Sequence, residues 1–145
     1  MTLRDWLASG WLTSQQASPE EIGNLLALAD RDLQDCRTPD LSADWRLNIA
    51  YNAALQLATA ALLACGYRAS REAHHWRVLQ SLALTIGAER ALVRQLDLFR
   101  RKRHKGGYQK AGLTSDPEAA EMAELAEALR ERVTDWLRAN HPDLI

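Results

Sequence analysis

Between Ser42 and Gly66 the chain places apolar residues on almost every side of a helical wheel, as in Ala50, Ala53, Ala54, Leu57, Ala58, Ala61 and Leu62. A helix that is apolar nearly all round must be enclosed by other elements. This run is therefore read as the central helix of a bundle. At 1.5 Å per residue it is about 36 Å long. Composition agrees: leucine and alanine contribute 24 residues each, valine and isoleucine only seven together. Straight-chain helix formers thus dominate over the β-branched residues that suit pleated sheets. A chain of 145 residues can bury one core of useful size and hardly two.

Punctuation along the chain sets the other elements. Thr2 can cap a short helix carrying Leu3, Trp6 and Leu7, closed by Gly10. Ser18-Pro19-Glu20-Glu21 has serine at the cap, proline at the first helical position and an acid three residues after the cap, which predicts a helix to about Asp35. Ser42-Ala43-Asp44 opens the central helix, which ends near Cys65 and Gly66. Ser70 is expected to cap a fourth helix through Trp76, Leu79, Ala83 and Ile86, with a break or kink at Gly87 before Leu92, Leu96 and Phe99. Gly106-Gly107 is expected to end that stretch. Ser115-Asp116-Pro117-Glu118 opens a last helix carrying Met122, Leu125, Leu129, Val133 and Trp136. The expectation is an all-α, up-and-down bundle of about five helices forming one domain over 1–145, with 1–17 a less constrained flank.

Nineteen acids against eighteen lysines and arginines give a net charge of −1, which excludes a general polyanion binder and leaves only a local nucleic-acid role. The first ten residues lack a charged region followed by an apolar one, and Ile49 to Gly66 is interrupted by Asn52, Gln56 and Thr59. Neither a secretory leader nor a membrane span is expected, and the cytoplasm is the expected compartment. Cys36 and Cys65 are far apart, with no CxxC or Cys/His spacing. Neither a disulfide framework nor a metal or other cofactor site is expected. His74 and His75 are adjacent, about 100° apart on a helix, and so are not expected to grip one metal.

One segment departs from this neutrality: Arg100-Arg101-Lys102-Arg103-His104-Lys105-Gly106-Gly107-Tyr108. Continuing the apolar stripe Leu92, Leu96, Phe99 by one more step lands on Arg103, which aims a permanently charged guanidinium toward an apolar face. Such a group needs an anion, and its planar fork fits phosphate or carboxylate. Arg100, Arg101, Lys102 and Lys105 surround the same helix end. Cations there also favour the negative end of the helix dipole, so ordinary helix capping is the competing account.

The long run Tyr51-Asn52-Ala53 through Cys65-Gly66-Tyr67, a following Trp76-bearing helix and the ending Arg-Lys-Arg-His-Lys-Gly-Gly-Tyr together resemble the HEPN superfamily over about Ser42 to Ala139. The resemblance implies a helical, dimeric protein that binds RNA or a nucleotide. It further implies a metal-independent ribonuclease in toxin–antitoxin or other defence systems, often with an antitoxin or nucleotidyltransferase partner. In the family pattern an arginine is followed, after four to six residues, by a histidine. Arg103 matches the arginine, His104 takes the polar position after it, and Tyr108 stands where the histidine of the four-residue spacing would be. A tyrosine of ordinary pKa near 10 is a poor base at neutral pH but can donate a hydrogen bond or stack on a base. The resemblance therefore implies RNA or nucleotide binding through Arg100, Arg101, Lys102, Arg103 and Lys105, with cleavage at Arg103, His104 and Tyr108 weak or degenerate. The alternative is a noncatalytic module that docks an acidic protein partner through the same basic end. Trp45, Trp76 and Trp136 lie on apolar stripes and are expected in the core, and the acids of the last helix are expected to form a solvated face or to neutralise the basic end.

Overall fold

The computed structural model describes residues 1–108 and 112–145, apart from the side chains of 104–108. The order is α1 (Leu3–Ala8), β1 (Leu12–Ser14), α2 (Pro19–Asp35), α3 (Ala43–Ala64), β2 (Tyr67–Ala69), α4 (His74–Thr85), α5 (Arg90–Tyr108), α6 (Asp116–Asn140) and a 3-10 turn at Pro142–Leu144. The described residues form an all-α bundle with six α-helices and one small antiparallel ribbon.

Three long helices begin where capping chemistry places them. The hydroxyls of Ser18, Ser42 and Ser115 accept the backbone N–H of Glu21, Trp45 and Glu118, respectively, satisfying a donor that each helix start leaves free. At the end of α3 the chain must reverse at once into β2, and Gly66 does this with a φ of 92° that a side chain would oppose.

Helix α3 packs against α2, α4, α5 and α6. Tyr51, Ala50, Ala53, Ala54, Leu57 and Ala58 are wholly enclosed. By length and composition alone α3 could cross a membrane, its most apolar window having a mean hydropathy of 1.3, but 72% of that window is buried by the protein's own helices. The polar interruptions expected to disqualify it do not; its surroundings do. One of them, Asn52, donates to the buried Asp32 of α2 at 2.7 Å.

Several local expectations are corrected. Ser70 does not cap α4: its hydroxyl donates to the carbonyl of Gly10 at 2.8 Å, and α4 starts only at His74 after Ala73, which has a left-handed backbone at φ 52°. Of the break or kink expected at Gly87 it is the break that occurs: the stretch is two helices, α4 and α5, separated around Gly87. Helix α5 runs through Gly106 and Gly107 to Tyr108. Residues 1–17, expected as a loosely held flank, are tied down. Trp6 is buried, Trp11 packs edge-on to it at 5.6 Å, and β1 pairs with β2 in the register Leu12↔Ala69. Trp45 is 60% exposed rather than in the core; at the first turn of α3 it is Asp44 and Arg46 that hold the segment around Thr114 and Asp116.

Candidate functional site

The 3-4 stripe of α5 buries Val93, Leu96 and Phe99 and carries Arg103 inward, as its position dictates. Its Cζ lies 5.2 Å from the ring centroid of Tyr51, the wholly buried tyrosine of α3. Its Nε is buried and has no hydrogen-bond partner among the described residues. A desolvated guanidinium donor without an acceptor is costly, and a cation–π contact with a phenol offsets only part of that cost.

The other cations described here are engaged. Asp97, itself buried, accepts from Arg100 Nε at 2.7 Å and lies 3.1 Å from Arg101 Nη2. Lys102 reaches Glu118 at the start of α6, 2.8 Å away. That ammonium, with help from the Ser115 N–H, holds the Glu118 carboxyl down at about 2. Asp44 of α3 fastens the chain beyond α5 by accepting the N–H groups of Gly112 and Thr114 at 2.7 and 3.1 Å, and the Gly112 bond leads in keeping its carboxyl below the usual range. Arg46 of α3 pairs with Asp116. The carboxylate that α6 sends to the basic end therefore goes to Lys102 and not to Arg103.

A third element joins the arginine and the tyrosine. His75, in the first turn of α4, sits with Nδ1 3.5 Å from the Tyr51 hydroxyl, at the long end for a hydrogen bond. Burial, then the nearby Arg103, pushes the imidazole below its ordinary pKa. Burial pushes the Tyr51 phenol up to about 12, against the pull of Arg103 and Arg100. The cluster so built holds a fixed cation, a neutral imidazole and a phenol that stays protonated. It can receive an anion at the guanidinium and exchange a proton at the imidazole.

Of the residues expected at the site, Arg103 is placed as the stripe predicts, and Arg100, Arg101 and Lys102 lie around the same helix with acidic partners. The side chains of His104, Lys105 and Tyr108 fall outside the described residues. His75 and Tyr51 were missed, since nothing local links positions 51, 75 and 103. Asp97 had a readable sign, three and four residues before Arg100 and Arg101. Among the described residues no group of three or more His, Cys, Asp or Glu is arranged to hold a metal.

Comparison of the sequence with family models and with curated proteins gives no match in either.

Proposed function

We propose that this protein is a HEPN-like RNA- or nucleotide-binding protein that takes a phosphate at Arg103, and that it acts as a homodimer in the cytoplasm, in a toxin–antitoxin or other defence setting. One observation carries the reading: among the described residues of the basic segment Arg103 is the one cation without a carboxylate, and its buried Nε has no acceptor among the described residues. A phosphate oxygen would supply the missing acceptor, and the guanidinium fork suits it. An acidic protein partner is less favoured, because a carboxylate on a folded surface must travel to a cation that lies inward on Tyr51.

Weak metal-independent cleavage is the second reading, favoured by His75, whose neutral ring is available to accept a proton from a ribose hydroxyl. One set of titrations tests both. Arg103→Ala is expected to weaken single-stranded RNA binding roughly ten- to hundredfold, the worth of a charge-assisted hydrogen bond, while leaving the melting temperature close to wild type. Unchanged affinity would remove Arg103 from the site. A fall in stability of several kcal/mol would mark it as a structural anchor instead. Incubation with total RNA in EDTA, comparing wild type with His75→Ala, reads out cleavage; equal degradation by both proteins excludes His75.

A further inference from the structure

A second basic feature lies on another side of α5. Arg90, Arg94, Asp97 and Arg101 follow one another at helical spacing along a narrow strip, about 16 Å from first to last. Together with Trp76 and Gln80 of α4 they line a cavity of about 360 Å³. Arg101 and Arg103 are two positions apart and so point about 160° away from each other around the helix axis. The strip is therefore a different surface from the one that meets Tyr51.

The charge of this groove is unbalanced. Arg90 and Arg94 are exposed and form no ion pair among the described residues. The lone acid of the lining, Asp97, is already bound by Arg100 and Arg101. Glu89, next to Arg90 in the chain, is turned to Arg132 of α6 at 3.0 Å. In a chain of net charge −1 Arg90 and Arg94 are thus a local pair of positive charges with no acidic partner among the described residues. Trp76 is half-buried in the wall, with Arg100 Cζ 5.6 Å from its ring centroid.

We propose that the α4–α5 groove binds single-stranded RNA, with phosphates on Arg90 and Arg94 and a base stacked against Trp76. A row of cations beside an indole is how single strands are held without reading their sequence. A duplex keeps its bases stacked on one another and cannot present one to Trp76. An acidic peptide could satisfy the arginines but brings no base to the indole. The choice of RNA as ligand rests on the reading of Arg103 as a phosphate contact, whereas the groove residues are separate from it.

The test uses the full chain with a labelled 12-nucleotide oligouridylate, an abasic strand of equal length and uridine monophosphate. The double variant Arg90→Ala/Arg94→Ala removes two exposed side chains and should fold normally. It is expected to lose at least tenfold in affinity for the 12-mer with no change for the monophosphate. Its slope of log affinity against log salt should fall by about 1.4, two contacts at about 0.7 each. The abasic strand should bind wild type at least fivefold more weakly than oligouridylate. Wild-type binding of the 12-mer by the double variant overturns the groove. If Arg103→Ala then still abolishes monophosphate binding, the Arg103 reading stands alone. If the double variant loses the 12-mer while Arg103→Ala binds everything normally, the groove stands and the Arg103 reading falls. Displacement of the 12-mer by polyglutamate at equal charge would overturn RNA as the occupant.

Discussion

At the scale of single residues, His75 links the candidate site to pH. Its folded-state pKa lies below the ordinary 6.5 because burial and the neighbouring Arg103 both oppose a second positive charge. Above about pH 6.5 the ring is neutral whether the chain is folded or not, and the full stability is present. As pH falls below that value the unfolded chain takes up the proton first, so stability declines until the folded ring protonates as well. His75→Gln should therefore show a smaller drop in melting temperature between pH 7.5 and pH 5 than wild type, and an equal drop would mean that His75 carries no such penalty. A phosphate at Arg103 would offset the arginine's positive charge and raise the same pKa toward its ordinary value. The direction of Arg103 was legible because it depends only on the stripe Leu92, Leu96, Phe99, three contacts along one helix. His75 was not, since its meeting with Tyr51 depends on how α3 and α4 lie against each other. Adjacent histidines in a sequence suggest a metal question and hide the one that matters here.

At the scale of elements, most helix starts were legible because a capping serine acts within four residues of itself. Helix α4 is the exception, and Ser70 shows why: the same hydroxyl that could cap a helix is claimed by the Gly10 carbonyl from sixty residues away. What starts α4 in its place is Ala73 in a left-handed conformation, with no side-chain cap. An alanine there costs about 1–2 kcal/mol in backbone strain, whereas glycine would lose about 0.4–1 kcal/mol through its freer unfolded chain. Ala73→Gly should then stabilise the protein by roughly 0.5 kcal/mol, and Gly66→Ala, at φ 92°, should do the opposite. Thermal or denaturant unfolding of the two variants checks both signs; a destabilised Ala73→Gly would show that the strain is relieved elsewhere. Trp45 was misjudged for a related reason. On a helix that is apolar nearly all round, the wheel does not tell which residues the neighbouring elements will cover.

At the scale of the whole molecule, exposed Trp45, Leu98 and Leu113 leave apolar surface that an association between two copies would cover. Light scattering at micromolar concentration should give twice the chain mass of 16.3 kDa, and a strictly monomeric mass would overturn the proposed homodimer. The helical class and central helix were legible because they follow from composition and periodicity summed over many residues. The ribbon was not, because three-residue strands carry almost no pattern and owe their pairing to what surrounds them. That ribbon also sets an order of events. The Leu12↔Ala69 register and the Ser70–Gly10 bond join positions about sixty residues apart, so the segment around Trp6 and Trp11 can settle only once that stretch of chain has closed on itself. Closing so long a loop is slow compared with forming the helices that flank it. The segment with the two tryptophans that pack against each other is thus expected to lock only after α2 and α3 have formed, and until then the groups that it will cover stand open to the chain's other encounters.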